Sequence, residues 1–290
     1  MLLAIGLLCA FLAMICWGFG DFLIQHSVRK VGDFETLAFI GIIGAIILLP
    51  FVWSDLPMLF LPQNFAIILI LCVITTLAAA FNFEALKKGK LSVTEVLIEL
   101  ELPITIILAL LFLGEAPTLF QLGIIAMIFV GLVLIATRSF KHFKHAFEKG
   151  ALLALIAAFF MGGVNFFVGV SARELSPLLT IWASWIIVAA FCIPIIWRRE
   201  GLKKMFRNAG RFKKLVLATG IFDTLAWLFF AFAVVDAPIG ITTAITESYV
   251  VLALILGVIL NKEKIRPHQY LGALLAITCS AILAVTATAL

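Results

Sequence analysis

Charge is scarce in this sequence. Only 13% of its 290 residues are Asp, Glu, Lys or Arg, against about 25% in a soluble globular domain. Apolar residues take the vacated share, 64% of the chain, where about 45–50% is usual. That surplus excludes an ordinary water-soluble domain and points to an all-α integral membrane protein. Paired cysteines are also missing. Cys9, Cys16, Cys72, Cys192 and Cys279 stand singly inside apolar runs, which argues against disulfides or thiolate metal sites and for small buried hydrophobes. His142 and His145 lie among lysines in FKHFKHAF, the mark of a solvated basic loop rather than a metal site. No GxxxxGK[ST] motif occurs, so direct use of ATP by this chain is not expected, and nothing in the residues calls for a cofactor. The start, MLLAIGLLCAFLAMICWGFGDF, lacks the basic n-region and cleavage site of a secretion signal and reads as a first membrane helix.

What the chain does have is long apolar runs. They fall near 3–24, 35–53, 64–86, 92–113, 119–137, 150–171, 178–197, 214–235, 238–260 and 267–288. Each is long enough to cross a bilayer core of about 30 Å as a helix. Breakers separate them, among them Asp55-Leu56-Pro57, Gly114-Glu115-Ala116-Pro117, Ser176-Pro177 and Arg266-Pro267.

The second half repeats the first. Trp17-Gly18-Phe19-Gly20-Asp21-Phe22 aligns with Met161-Gly162-Gly163-Val164-Asn165-Phe166, Arg29 with Arg173, Glu101 with Glu247, Glu115 with Glu263, and Gln121 with Gln269. Two halves are expected, 1–140 and 148–290, each of five spans. An odd number of spans per half inverts one half relative to the other, so the fold expected is ten transmembrane helices in two inverted five-helix repeats. Secondary transporters are often built this way, with the site at the repeat interface near the midplane.

Lysine and arginine set the expected orientation. The loops after spans 1, 3, 5, 7 and 9 hold nearly all of them, including eight between Arg198 and Lys214, whereas the other side has Arg173 alone. The positive-inside rule places the crowded side in the cytoplasm and both termini outside, in the cell's inner membrane. The 198–214 stretch reads as a loop facing anionic lipid, not a nucleic-acid patch.

With these residues in place the chain resembles the drug/metabolite transporter superfamily, in its EamA-type branch. The resemblance is carried by Trp17-Gly18, Ala85-Leu86, Pro103, Gly114-Glu115, Gln121-Leu122-Gly123 and Gly131, with Glu263, Gln269 and Gly272 in the second half. It implies a central cavity lined by spans 1, 3, 4, 6, 8 and 9, and movement of small metabolites or drugs by alternating access. It implies no particular substrate. Many bacterial members are held to keep both termini in the cytoplasm; the basic loops here argue the reverse.

Three carboxylates fall within seven residues of span 4, in TEVLIELELP. An acid at the centre of a spanning helix costs about 2.5–3.5 kcal/mol on the insertion scale. Three at full depth approach about 10 kcal/mol, more than the apolar residues of one span return at about 0.3–0.6 kcal/mol each. Ser92 and Glu95 have capping-box spacing, which places Glu95 at the interface. Glu99 and Glu101 lie deeper, and on an unbroken helix they point about 200° apart. Pro103 has no N–H to bond the Glu99 carbonyl, and free backbone at depth is tolerated mainly beside a cavity or buried in protein. Glu247 occupies the matching place in span 9. Desolvation disfavours a charged carboxylate and a second one nearby disfavours it further, so Glu101 and Glu247 are candidates for exchanging a proton against a cation.

Glu99, Asp223, Asp21 and its counterpart Asn165 complete the proton- and substrate-binding candidates, the last two as a polar gate. Trp17, Trp227 and Tyr249 are candidate aromatic walls, able to hold a cation by their faces. Glu84 is expected to pair with Lys87 or Lys88, and Glu115 and Glu263 to be structural.

The function expected is proton-coupled secondary transport of a small organic cation or zwitterion, in the lipid bilayer, with small-molecule substrate and protons as partners, no nucleic acid, and a monomer or homodimer. The alternatives are export of neutral or anionic metabolites with the acids structural, and a divalent-cation carrier. An enzyme is disfavoured because the histidines are scattered in loops and the acids lie deep. A purely structural role is disfavoured because buried acids are costly.

Overall fold

The computed structural model describes residues 2–88, 91–137, 149–199, 201–262 and 264–288, without the side chains at 83, 86–87, 91–93, 95, 149 and 288. The expected Ser92–Glu95 cap, the place of Glu263 and the His142–His145 stretch lie outside the described residues.

Among the described residues, ten helical passages are long and apolar enough to cross a membrane, matching the ten apolar runs. The first passage, α1 (Leu2–Val31), runs seven residues past its expected end. Its partner α2 follows at Asp33–Val52, and a 3-10 turn at Leu56–Phe60 leads into α3 (Pro62–Lys88). The fourth passage is two helices, α4 (Leu91–Ile98) and α5 (Glu101–Leu113), and α6 (Leu119–Ala136) closes the first half. The second half repeats this order with α7 (Lys149–Glu174), α8 (Pro177–Arg199), α10 (Lys213–Asp236), the divided passage α11 (Ile239–Thr246) and α12 (Tyr249–Leu260), and α13 (Pro267–Thr288).

One helix was not expected. The basic stretch read as a loop contains α9 (Leu202–Arg211). It buries Met205 and Ala209 while Lys203, Lys204, Arg207 and Arg211 face out. Its buried side packs against α1, α8 and α10, and at ten residues it is too short to cross a bilayer core. The side carrying α9, Arg29 and Arg266 is called the basic face below.

The halves interlock. The first helix of each lies along the third helix of the other, α1 on α10 and α3 on α7, while α2 pairs with its repeat equivalent α8 and α6 with α13. Lipid is as apolar as leucine, so these contacts depend on close packing rather than on a hydrophobic drive. The α6–α13 crossing illustrates this. A Cβ at Gly131 would stand 2.8 Å from the Gly272 carbonyl oxygen, and one at Gly272 would stand 2.5 Å from that of Gly131.

Polar side chains fasten the same elements. Thr118 and Gln121 form a capping box at the start of α6. The repeat equivalent Gln269 accepts from the Arg266 N–H (3.0 Å) and donates to the Ile135 carbonyl at the end of α6 (2.8 Å). Glu84 pairs with Lys88 at 2.9 Å, as its i,i+4 spacing suggested.

Candidate functional site

The two divided passages break at equivalent places. In the fourth, residues 99 and 100 leave the helix. Pro103 contributes by removing a donor, but the Glu99 carbonyl is not left free. It accepts from the Leu102 N–H at 3.3 Å, a tighter turn than the α-helix. In the ninth, residues 247 and 248 leave the helix without any proline. There the Thr243 hydroxyl donates back to the Ile239 carbonyl (2.9 Å) and Thr246 to the Thr243 carbonyl (3.0 Å), a competition for backbone acceptors that bends helices. Gly162 of α7 makes room for the first break, since a Cβ there would meet the Glu101 carbonyl oxygen at 2.9 Å.

The breaks decide where the acids point. Glu101 and Glu247, from opposite halves, face each other within reach of a side-chain hydrogen bond. Two ionised carboxylates have no donor between them, so such a bond needs one shared proton. Glu101 Oε2 is buried and accepts no hydrogen bond, a condition that native structures seldom tolerate without a functional reason. Glu99 is an electrostatic neighbour of Glu101. The 200° separation expected on an unbroken helix does not apply, because the helix stops between them.

A cavity of about 790 Å³ opens beside this pair towards the basic face. Asp21, Glu99, Asn82 and Tyr249 line its depth, and Arg29, Lys264 and Arg266 its mouth. Tyr249 is an electrostatic neighbour of Asp21, Glu247, Glu101 and Glu99 together. Asn82 Oδ1 is buried without a hydrogen-bond partner. A second cavity of about 230 Å³ has mostly apolar walls from α1, α2, α3, α7, α8 and α10, with Asp223 and Trp227 among them. Trp17 stands between the two. Its ring lies 5.0 Å from that of Trp227 and 6.1 Å from that of Tyr249.

On the side remote from the basic face one ion-pair hub ties the two halves together, beside a cavity of about 380 Å³ that Glu115 also lines. Arg173, at the end of α7, donates to Glu115 (2.6 Å), to the Val234 carbonyl (2.7 Å) and to the Ala237 carbonyl (3.0 Å). Glu115 also accepts the Ile239 N–H at 2.6 Å, at the start of α11. Glu115 belongs to the first half and its partners to the second.

The structure thus brings Glu99, Glu101, Glu247, Asp21 and Tyr249 into one neighbourhood and puts Asp223 and Trp227 on the second cavity. Asn165 is buried on α7 and is not among the residues lining either of these two cavities. The cavities also depart from the expected lining, because spans 2, 5, 7 and 10 contribute. The pairing of α6 with α13 carries Ile135 and Gln269 to the mouth of the larger one. Sequence reasoning missed Asn82, Gln25 and the Arg173 hub. The alignment of Arg173 with Arg29 and of Glu115 with Glu263 was the available signal. Among the described residues no group of three or more His, Cys, Asp or Glu is disposed to hold a metal ion.

Comparison with known proteins gives this arrangement a family. The model of the EamA-like transporter family matches residues 4–137 and again 148–285. The chain belongs to the EamA-like transporter family. It is accordingly a multi-pass membrane transporter of the drug/metabolite type, and not an enzyme. No curated protein matches. Among 28 matching chains of solved structures, one crystal structure is 16% identical with a TM-score of 0.75, covering 98% of each chain. At that identity the likeness speaks for a shared fold alone.

Proposed function

We propose that this EamA-type transporter moves a small organic cation or zwitterion by alternating access, in exchange for protons. One observation carries the reading. Two helices broken at equivalent places in the two halves bring Glu101 and Glu247 together beside a cavity open to one face, and the Arg173–Glu115 hub ties the halves together at the other. Discontinuous helices at a repeat interface are where such transporters hold substrate and coupling ion. A carboxyl pair sharing a proton can release it when a cation arrives and regain it when the cation leaves. Repeat halves at 1–140 and 148–290, a cytoplasmic basic face in the inner membrane and external termini complete the proposal, with the conformation described being open to the cytoplasm.

The test is uptake into liposomes driven by an imposed pH gradient. Glu101→Gln and Glu247→Gln are each expected to abolish gradient-driven accumulation. Full coupled uptake by both variants would overturn the mechanism.

A second reading has an observation of its own. Arg29, Lys264 and Arg266 line the cavity mouth and suit a metabolite with an anionic group, exported with the acids in structural roles. Accumulation of anions insensitive to both glutamine substitutions would favour it.

A further inference from the structure

Asp223 of α10 is buried, 6% exposed, and lines the smaller cavity. Among the described residues it makes no hydrogen bond and no ion pair. Buried polar side chains are nearly always partnered, and an acid inside a membrane-spanning helix marks a substrate or ion route by default.

The other polar residues on the walls are Asp33 and Thr36 of α2, Thr75 and Thr76 of α3, and Ser184 of α8. The Thr75 and Ser184 hydroxyls donate back to their own helices, to the Leu71 and Thr180 carbonyls, each at 2.8 Å. Met161, Val164, Val188, Phe191 and Trp227 make up much of the remainder. The chamber therefore sets the unbonded Asp223 carboxyl in a largely apolar, partly aromatic pocket, its second carboxyl, Asp33, being engaged by the Phe34 N–H at 2.9 Å at the start of α2.

It also adjoins the larger cavity. Asp21 and Gln25 line the larger one while Ile24 and Val28 line the smaller, and these positions share one face of a helix. On α3, Asn82 lines the larger, and Thr75, Ala78 and Ala79 the smaller, again one face. A molecule entering from the basic face meets both chambers along the same two helices.

We infer that the smaller chamber is a cargo subsite for a primary amine with a compact apolar body, held by its ammonium on Asp223. The body lies against Met161, Val188, Phe191 and the Trp227 ring, whose face also favours a cation. The Glu101–Glu247 pair is then left to the proton, so cargo and proton use different carboxyls. At about 30 Å³ for a water-sized group, the 230 Å³ of the chamber limits the body to roughly eight such groups. This assignment rests on the transport reading above but is tested by binding, not by coupling.

The probes are phenethylamine, 2-phenylethanol as its uncharged counterpart, and methylamine as charge without a body. Equilibrium binding is measured to the full-length protein in lipid nanodiscs. Phenethylamine is expected to bind at least about tenfold tighter than either control, a margin of about 1.4 kcal/mol. Asp223→Asn is expected to erase the preference over 2-phenylethanol. Thr76→Phe, which takes up chamber volume while leaving the Asp223 carboxyl in the chain, is expected to weaken phenethylamine at least about tenfold. It decides the matter if Asp223→Asn fails to fold as judged by monodisperse elution. An unchanged amine preference in Asp223→Asn, unchanged phenethylamine binding in Thr76→Phe, or equal binding of phenethylamine and 2-phenylethanol by the native protein would each overturn the inference. Phenethylamine uptake indifferent to a pH gradient removes proton coupling and leaves the subsite standing.

Discussion

Arg173 and Glu115 meet at 2.6 Å across the two halves of the chain, and between them they hold the ends of α5, α7 and α10 and the start of α11. Under the alternating access proposed above, each guanidinium or carboxyl bond here goes to a group that must move for this side to open. Charge-assisted hydrogen bonds contribute about 1.5–3 kcal/mol each, and both side chains are only part-buried, so the low end applies. Arg173→Ala should therefore shift the population towards opening at this side by about tenfold, the equivalent of about 1.4 kcal/mol. A cysteine placed at Ala116 reports it. Its labelling by a membrane-impermeant maleimide should rise about tenfold in the Arg173→Ala background. Unchanged labelling would show that the hub is not what keeps this side shut.

Pro103 should trade stability for turnover. Pro103→Ala restores an N–H that can bond the Glu99 carbonyl, now satisfied only by the longer Leu102 bond at 3.3 Å. Filling the break is expected to raise thermal stability by about 0.5–2 kcal/mol, the usual gain from relieving a functional irregularity, and to slow transport several-fold. Thermal unfolding in nanodiscs and initial uptake rates measure the two effects. A faster variant would contradict the role assigned to the break.

The α6–α13 crossing has no room for a side chain. Gly131→Ala and Gly272→Ala each place a methyl within 3 Å of a facing carbonyl oxygen, an overlap that neither backbone can relieve by rotamer change. Overpacking of this kind costs about 1–3 kcal/mol. Both variants should unfold at lower temperature. Gly123→Ala on α6, where no atom lies within 4 Å of an added Cβ, should not be destabilised by crowding.

Trp17 divides the two cavities. Trp17→Ala removes a ring that touches Trp227, Phe230 and Tyr249 and should destabilise by about 3–5 kcal/mol. Trp17→Phe keeps most of the wall and should cost less than half of that. Denaturation midpoints of the two variants provide the check. Equal midpoints would mean that the ring packs loosely and separates nothing.

Much of this molecule was legible in the sequence, and the reason is local. A bilayer demands about twenty consecutive apolar residues per helix, so the ten passages stand out as runs, and inverted halves follow from counting five spans in each. The breaks were half legible. Pro103 announces the first, whereas the second is produced by Thr243 and Thr246 bonding backwards, a choice that depends on geometry and leaves no breaker residue to see.

Which side chains meet was decided by the tertiary structure. In a soluble helix the apolar stripe shows which face turns inward. In α3, α6 and α10 the faces towards lipid, towards neighbouring helices and towards a cavity are all apolar, so no periodicity marks the inner one. Glu101 and Glu247 were visible as costly acids from composition alone. That they face each other, and that Asp223 lines a second chamber, were set by how two inverted halves interlock, because in an apolar solvent the sequence specifies the span and packing specifies the face.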